Sequence, residues 1–276
     1  MSDGEPPSGR SGPPTIAIVG LGEAGSAIAA DLIAAGAGVR GWDPVAAAPL
    51  GVEPAGDERE AAAGADAVLS LNTAAVAKGV AEAVAPALEP GQVFADLNTS
   101  GPELKRELAE VVGGTGALFA DVALMAPVPG RGIGTPALVS GTGAERFAEI
   151  LAPLGMPVTP LAAEAGEAAA RKLAQSVFTK GLAAAIGEAL AAGEELGCGQ
   201  WLHDEIERIL TGADAALLRR LIEGSRLHAA RRSDEMGAAV EMLEGLGVEP
   251  RVAAASEAWL RSLAPGELAA RSGPGQ

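Results

Sequence analysis

The stretch TIAIVGLGEAG, Thr15–Gly25, decides the fold. Its first five residues are mostly β-branched and apolar, which predicts a buried strand. The strand runs into a G-x-G-x-x-G turn, and the apolar run 26–35 closed by Gly36 predicts a helix after it. A second predicted strand, Gly38–Trp42, then ends in Asp43. Strand, turn, helix, second strand and terminal acid therefore follow in the order of a parallel strand–helix–strand unit.

The three glycines of this turn predict a dinucleotide-binding loop. Gly20 permits the tight turn, Gly22 lets the backbone approach a pyrophosphate, and Gly25 lets the helix lie close to the strand. The N-terminus of the helix offers N–H groups and a positive dipole end to phosphates. The motif predicts cofactor contacts from the whole loop, namely Gly20, Leu21, Gly22, Glu23, Ala24 and Gly25. The alternative is a glycine-rich packing joint between a helix and a strand.

Asp43 bears on the choice of cofactor. It lies about 20 residues after the turn, where an acid accepts hydrogen bonds from the adenosine ribose and repels a 2′-phosphate. Residues 44–48 contain no arginine or lysine, which favours NAD. Arg40 lies close in sequence, so NADP stays possible.

Composition narrows the function classes. A chain of 276 residues with 48% hydrophobic residues suggests about two domains, and no apolar run reaches the ~18 residues needed to span a membrane. The net charge of -16 argues against nucleic acid and acidic membranes as partners. The single cysteine fits a reducing cytosol. With two histidines and no Cys/His cluster, we expect no metal site, and the absence of tyrosine excludes a Tyr-x-x-x-Lys catalytic site.

The predicted elements divide the chain into two domains. Strands and helices alternate over residues 15–163, which predicts a doubly wound, mostly parallel Rossmann-type α/β sheet with ligands at the carboxyl ends of its strands. From residue 164 the pattern is all-helical to residue 271 and starts with one long interdomain helix over residues 164–196. Shorter helices are predicted at 202–210, 213–222, 225–246 and 251–263. Residues 1–14 read as a disordered leader and 272–276 as a tail.

The order of motifs resembles the β-hydroxyacid dehydrogenase family, which includes the 3-hydroxyisobutyrate, tartronate-semialdehyde and 6-phosphogluconate dehydrogenases. The resemblance covers residues 15 to about 263 and begins with the glycine turn. The family's substrate segment Asp-x-Ser-Thr-x-x-Pro matches Asp96–Pro102, with Asn98 in place of serine. Its Asp-x-Pro-Val-x-Gly-Gly loop matches Asp121–Pro127 only loosely, because the double glycine is missing.

The family's catalytic helix, Gly-x-x-x-Lys-x-x-Asn-Asn, matches Arg171–Ser176. Lys172 is kept, whereas Gln175 and Ser176 replace the paired asparagines. The helical part is similar to one branch, in which a phosphogluconate-dehydrogenase-like NAD-binding domain carries a C-terminal helical domain of unknown function. That similarity rests on Lys172, Ser176–Leu182, His228–Arg232, Glu235 and Met236.

The resemblance implies roles for individual residues. It makes Lys172 the general acid/base of a hydride transfer, and it places cofactor contacts at Asn72 and Thr73. The implied substrate contacts are Asn98, Thr99, Ser100, Ser176 and His228. Asn98 and Thr99 follow a predicted strand, and we favour a substrate role for them. For Ser100 we favour the N-cap of the helix that begins at Pro102.

Each of these residues also has a purely structural interpretation. Lys172 would then be a surface lysine, Asn72 and Thr73 would end a strand, and Ser176 would be a small residue at a helix contact. His228 shares a helical stripe with Arg231, Arg232 and Glu235, which is typical of a solvated, ion-paired face. The resemblance offers an alternative, in which Arg231 or Arg232 supplies the cation that a lysine of the equivalent family helix brings to the active site.

The sequence thus predicts a cytosolic NAD(P)-dependent dehydrogenase or reductase acting on a small hydroxyacid-like or carbonyl substrate. An imine reductase is the alternative within the enzyme class, and a dinucleotide-binding sensor without turnover is the alternative outside it. The long helix flanked by apolar helical segments predicts a homodimer formed through the helical domain.

Overall fold

A computed structural model describes residues 12–264. The predicted tail and most of the predicted leader lie outside these residues. The described chain divides into two compact units, the first ending at Gln175 and the second beginning at Ser176. The first unit consists of one sheet with helices on both of its faces, and the second consists of helices.

Eight strands within residues 12–264 form a single sheet in the order β3-β2-β1-β4-β5-β6-β7-β8. They are β1 Thr15–Val19, β2 Gly38–Trp42, β3 Glu53–Pro54, β4 Ala67–Ser70, β5 Val93–Asp96, β6 Leu118–Leu124, β7 Ala137–Ser140 and β8 Val158–Pro160. Neighbouring strands are parallel except β6 and β7, which are antiparallel. The predicted doubly wound, mostly parallel sheet is therefore confirmed.

Within residues 12–264, five α-helices connect these strands and five more follow the last strand. They are α1 Glu23–Ala34, α2 Glu58–Ala62, α3 Ala77–Val84, α4 Pro102–Gly113, α5 Ala144–Leu151, α6 Glu167–Glu195, α7 Gly199–Thr211, α8 Ala215–Leu227, α9 Ala229–Gly245 and α10 Arg251–Ser262. Most predicted elements are present with ends shifted by a few residues. β3 was not predicted, since two residues are too short for a periodic signal.

The alternation of side chains along β1 explains why the sheet is covered on both faces. Ile16 and Ile18 belong to an apolar cluster with α1 and α5, whereas Ala17 and Val19 belong to a second cluster with α3 and α4. Successive strand residues point to opposite faces, so a strand that is apolar at every position is buried on both sides. The order of strands reverses between β1 and β4, and ligands of open α/β sheets bind at such a switch point.

The glycine turn stands at this switch point, and two of its glycines are required by the backbone. Gly20 has φ +107°, a conformation that side chains rarely adopt. A Cβ on Gly25 would stand 1.9 Å from the carbonyl oxygen of Gly20, so α1 packs against the turn only without a side chain there. α1 begins at Glu23, three residues earlier than predicted, which places Gly25 in its first turn.

The second unit has little apolar core of its own. Its described core cluster contains Ala192, Leu243 and Ala253. The carboxylate of Glu188 caps α10 by accepting the backbone N–H groups of Val252 and Ala253. The predicted helix 225–246 is wrong at its start, because α8 ends at Leu227 and α9 begins at Ala229. Within residues 12–264, no helix is both long enough and apolar enough to span a membrane.

The close approach at Gly25 predicts opposite effects for two glycines that each occupy the third position of a helix. We expect Gly25→Ala to lower the free energy of unfolding by roughly 1–3 kcal/mol, because the new methyl group overpacks the turn. Gly79 of α3 has no atom within 4 Å of where its Cβ would stand. We expect Gly79→Ala to raise the free energy of unfolding by roughly 0.5–1 kcal/mol. Urea denaturation of both variants measures these changes, and equal effects would contradict the packing argument.

Candidate functional site

A groove of about 710 Å³ opens at the carboxyl ends of β1, β2 and β4. Several sequence-predicted cofactor residues line this groove, namely Gly20, Gly22, Asp43, Asn72 and Thr73. The apolar walls of the groove are formed by Trp42, Pro44, Val76 and Val80. The structure therefore brings these predicted residues together at the switch point of the sheet.

The N-terminus of α1 faces this groove through the glycine turn. Gly22 is its N-cap residue, and no side chain caps it among the described residues. A Cβ at Gly22 would meet no atom within 4 Å, so open space lies directly beside the helix terminus. Helix N-termini with free space beside them bind phosphate through backbone N–H groups and the helix dipole. The loop thus fits the pyrophosphate of a dinucleotide.

Asp43 is tied to the glycine turn by its carboxylate. Its Oδ2 accepts the N–H of Leu21 at 2.8 Å, and its Oδ1 accepts the N–H groups of Val45 and Ala46, each at 2.8 Å. Desolvation raises the pKa of Asp43, but the three backbone donors together outweigh it, so the pKa lies below its ordinary value. Asp43 therefore remains ionised near neutral pH and holds the turn in place.

Arg40 is the residue for which the sequence left NADP possible as the cofactor, and its side chain binds groups outside the groove. Its Nη1 donates to the carbonyl oxygens of Glu60 and Ala63 at 3.2 and 2.9 Å. Its Nε lies 3.6 Å from a carboxylate oxygen of Glu53. The guanidinium is thus bound to α2, its C-terminal end and β3, and it is not among the groove-lining residues.

A second, smaller recess lies where β5 ends beside the second half of β6, next to the first turns of α6. It is lined by Asn98, Thr99, Ser100, Lys105, Asp121, Val122, Ala123, Ala169 and Lys172. The Nζ of Lys172 donates a hydrogen bond of 2.8 Å to the Oγ1 of Thr99. Two residues that are 73 positions apart, and that the sequence predicted for one site, are therefore in contact.

The expected capping role of Ser100 is wrong. Gly101 is the N-cap residue of α4, because Pro102 occupies the first helical position and the cap must directly precede it. The Oγ of Ser100 is buried and has no hydrogen-bond partner within the described structure. A buried hydroxyl without a partner is costly in a folded protein. Its position in the wall of the recess therefore favours the substrate role over the structural one.

Asn98 is the centre of a polar network that joins β4 to β5. Its Nδ2 lies 2.5 Å from Oδ1 of Asp96, 2.9 Å from Oδ1 of Asn72 and 3.3 Å from Oγ of Ser70. The neighbouring carboxylate fixes this orientation, because a reversed amide would bring two acceptor oxygens together. The amide N–H groups are thus used inside the protein, and Oδ1 is the remaining polar atom of the side chain.

Sequence reasoning missed a buried lysine. Lys105 of α4 is 1% exposed, and its Nζ lies 2.7 Å from Oδ2 of Asp96 and 3.2 Å from Oδ1 of Asp121. Both carboxylates are fully buried. The same Nζ donates to the carbonyl oxygen of Asp96 at 2.8 Å. One ammonium group therefore bridges the end of β5 and the middle of β6 at the recess.

Asp121 also caps α6. Its Oδ2 accepts the N–H groups of Gly166 and Ala169 at 3.0 and 3.1 Å, and the hydroxyl of Ser140 at 3.0 Å. The Oγ of Ser140 in turn accepts the N–H of Ala168 at 3.1 Å. A carboxylate at a helix N-terminus satisfies otherwise orphaned donors and complements the helix dipole.

Ser176 and His228 belong to the second unit. His228 lies between α8 and α9 and not within a continuous helix, so the predicted stripe with Arg231, Arg232 and Glu235 does not include it. The roles predicted for these residues stay predictions. The described residues contain no group of three or more potential metal ligands.

Comparison with known proteins adds two family matches. Residues 15–161 match the model of the NAD binding domain of 6-phosphogluconate dehydrogenase, and residues 194–263 match a domain of unknown function, DUF1932. A probable 3-hydroxyisobutyrate dehydrogenase of Mycobacterium tuberculosis is 32% identical over 210 residues, which cover 72% of this chain and 69% of the relative.

Two solved structures are also similar. A conserved hypothetical protein from Sinorhizobium meliloti is 33% identical, with a TM-score of 0.62 over 96% of this chain and 92% of that chain. An imine reductase from Myxococcus stipitatus is 21% identical, with a TM-score of 0.76 over 90% of this chain and 93% of that chain. The latter likeness shows a shared fold.

The hydrogen bonds of Asp43 predict a pH-dependent contribution to stability. The pKa of Asp43 is lowered in the folded chain, so its contribution is present above the unfolded pKa and is lost as the pH falls through the folded pKa. At about pH 7 we expect Asp43→Asn to unfold at a lower urea concentration than the wild type. We expect this difference to shrink as the pH falls below the ordinary pKa of 3.8 and towards the lower pKa of the folded chain, where Asp43 becomes protonated and resembles asparagine.

Urea denaturation of both proteins at several pH values measures the effect. Glu89→Gln, which changes an exposed acid of the same unit, serves as the control. A difference between wild type and Asp43→Asn that stays constant with pH would contradict the assignment.

Proposed function

We propose that this chain, which belongs to the family defined by the NAD-binding domain of 6-phosphogluconate dehydrogenase, transfers hydride between nicotinamide and a small hydroxyacid-like or carbonyl substrate. Family membership makes it an NAD(P)-binding oxidoreductase of the hydroxyacid dehydrogenase and imine reductase type. The observation that carries the finer proposal is the contact between Lys172 and Thr99. It joins an ionisable group to the strand end where substrate is expected.

A bound nicotinamide dinucleotide supplies or accepts the hydride. The groove with Gly20, Gly22, Asp43, Asn72 and Thr73 would hold it, with the pyrophosphate at the N-terminus of α1. The hydrogen bond between Nδ2 of Asn98 and Oδ1 of Asn72 directly links a residue of the recess to a residue of the groove. Substrate in the recess and cofactor in the groove would therefore meet at this pair.

Lys172 transfers the proton in this proposal. In the reducing direction its ammonium group donates a proton to the substrate oxygen as the carbonyl carbon receives hydride. In the oxidising direction the neutral amine takes the proton of the hydroxyl group as hydride leaves the carbon. A positioned acid or base typically contributes 10²–10⁴-fold to such a step. Thr99, hydrogen-bonded to Nζ, orients the group that performs it.

We propose NAD as the preferred cofactor. Asp43 contributes an ionised carboxylate to the groove, and a 2′-phosphate bound beside it would face like-charge repulsion. Glu58 lines the same groove and adds a second acid. Arg40 is occupied by Glu53 and by two carbonyl oxygens, which removes the nearest cation in the sequence as a phosphate ligand.

Reduction of an imine is the second candidate, and the orientation of Asn98 favours it over the turnover of a substrate whose carboxylate would bind there. Because the amide N–H groups are used by Asp96 and Asn72, the side chain offers an acceptor oxygen to a ligand. An acceptor suits the N–H of a protonated imine as well as a hydroxyl group, and it suits a carboxylate poorly. The loss of the double glycine in Asp121–Pro127 points the same way.

The test is a panel of hydroxyacids, sugar acids, carbonyl compounds and cyclic imines, followed by NADH and NADPH absorbance. We expect Lys172→Ala to lower kcat by roughly 10²–10⁴-fold and to leave dinucleotide affinity, measured by titration calorimetry, nearly unchanged. Lys180→Ala, eight residues further along α6, should keep wild-type activity. Activity with NADH should exceed that with NADPH.

Each contrary outcome removes a specific part of the proposal. Turnover that is indifferent to Lys172→Ala would refute the acid/base role, and a preference for NADPH would refute the role of Asp43. Turnover of imines alone would establish the second candidate. Dinucleotide binding without turnover of any substrate would favour a sensor.

We also propose a cytosolic homodimer formed through the helical unit. The described residues of this unit expose large apolar side chains, including Val177, Phe178, Trp201 and Leu227 at 78%, 69%, 65% and 77%. Its own core cluster is small. Exposed apolar surface of this extent is typical of a protein interface, and a second copy is the partner that is always present.

The dimer can be tested with one pair of matched variants. We expect wild-type protein to sediment as a dimer and Phe178→Asp to raise the dimer dissociation constant roughly tenfold or more, because the new charge would be buried in the interface. Leu50→Asp changes a fully exposed leucine of the first unit and should not affect assembly. Sedimentation velocity over a concentration series measures both, and a monomeric wild type would refute the proposal.

A further inference from the structure

We propose that Lys105 is a positioning residue for Lys172. One buried ammonium group joins the strand end that carries Thr99 to the helix N-terminus that carries Lys172. The significance of this geometry for catalysis rests on the proposed function. The geometry itself can be tested without any turnover.

The strand side of this connection begins at Asp96. Lys105 binds its side-chain Oδ2 at 2.7 Å and its backbone carbonyl oxygen at 2.8 Å. The other carboxylate oxygen, Oδ1, is held by Nδ2 of Asn98. Lys105 thus fixes both the side chain and the backbone of the residue that precedes Thr99 by three positions.

The helix side begins at Asp121. Its Oδ1 lies 3.2 Å from Nζ of Lys105, while its Oδ2 accepts the N–H groups of Gly166 and Ala169. Lys172 follows Ala169 by three residues, which is about one helical turn. A shift of the carboxylate would therefore move the first turn of α6 and with it the base of the Lys172 side chain.

Charge explains why the link depends on a cation. Asp96 and Asp121 are both fully buried, and two buried carboxylates at this distance from one ammonium group would repel each other without it. A positive group between them offsets this repulsion where Asp96 and Asp121 stand side by side on the paired strands β5 and β6. A neutral side chain at position 105 would let one carboxylate move, and that displacement would be transmitted to α6 through Gly166 and Ala169.

The accessibility of each lysine can be measured directly, because the chain has only four lysines, namely Lys78, Lys105, Lys172 and Lys180. Acetylation with limiting acetic anhydride, followed by peptide mass spectrometry, reports how accessible each amine is in the folded protein. The ratio of Lys172 to Lys180 labelling is the readout, and Lys78 is a further internal reference. A general loss of stability would not move this ratio in the native state, whereas loss of the Lys172 position would.

We expect Lys105→Gln to raise the Lys172 to Lys180 ratio by about fivefold, the size that corresponds to loss of one net hydrogen bond. Lys105→Arg keeps the charge and should return the ratio towards the wild-type value. Lys78→Met, which removes a lysine paired with Glu107 on the outside of the same unit, should leave it unchanged. The folding control is the affinity for NADH, because Lys105 does not line the groove. A variant that binds NADH within about threefold of the wild-type affinity counts as folded.

A folded Lys105→Gln protein with the wild-type labelling ratio would overturn the proposal. If Lys105→Gln does not fold, Ser140→Ala is the variant that tests the proposal. It removes the hydroxyl that joins Asp121 to Ala168 and leaves the ion pairs of Lys105 intact. We expect it to raise the ratio about twofold, and an unchanged ratio in folded Ser140→Ala would overturn the proposal.

Kinetics separate this inference from the proposed function. With a substrate in hand, Lys105→Gln should lower kcat about tenfold or more and leave KM for NADH unchanged, since a small misplacement of a catalytic group is costly. A wild type without any turnover would refute the proposed function, and the labelling ratio would still decide the role of Lys105.

Discussion

The carboxylate of Asp121 is the contact on which the candidate site depends. Asp121 lies in the middle of β6, beside the end of β5, and its carboxylate accepts N–H groups at the N-terminus of α6, so that this long helix starts from a fixed point on the sheet. Lys172 lies on the next turn of that helix, and its Nζ meets Thr99 at the end of the neighbouring strand. Positions that are distant in the chain are therefore brought together by the capping of one helix.

Burying these charges costs desolvation energy, which indicates that the arrangement serves to fix geometry and not to stabilise the fold. Asp96, Lys105 and Asp121 place two negative charges and one positive charge in the interior, and a buried ion pair often contributes no more than apolar residues of similar volume. The donors of Gly166, Ala169 and Ser140 compensate part of the remaining charge on Asp121. What these groups provide is direction, because the hydrogen bonds that Asp121 accepts, and the one that Lys105 donates to the Asp96 carbonyl oxygen, fix angles and distances that apolar packing leaves adjustable.

Much of this could be predicted from the sequence, and the exception is instructive. The glycine turn, its following helix and Asp43 are local features whose spacing is enough to place them. Lys105 lies in Pro102–Gly113, among the charged residues of ELKREL, and is easily read as a surface lysine. A signal was present, because Lys105, Leu108 and Val112 share one buried helical face. The spacing of these three residues could predict that the lysine points inward, but only the fold shows that two carboxylates lie beside its ammonium group.

The polar network at the strand ends also explains how the groove and the recess can share one edge of the sheet. Asn72 lines the groove, Asn98 lines the recess, and a hydrogen bond of 2.9 Å joins their amides. Because β4 and β5 are parallel neighbours in register, residues that follow their ends stand side by side. Asp96 holds the Asn98 amide in one orientation, so a change at either asparagine would disturb both surfaces. The boundary between the groove and the recess is thus a property of strand register, made rigid by a buried carboxylate.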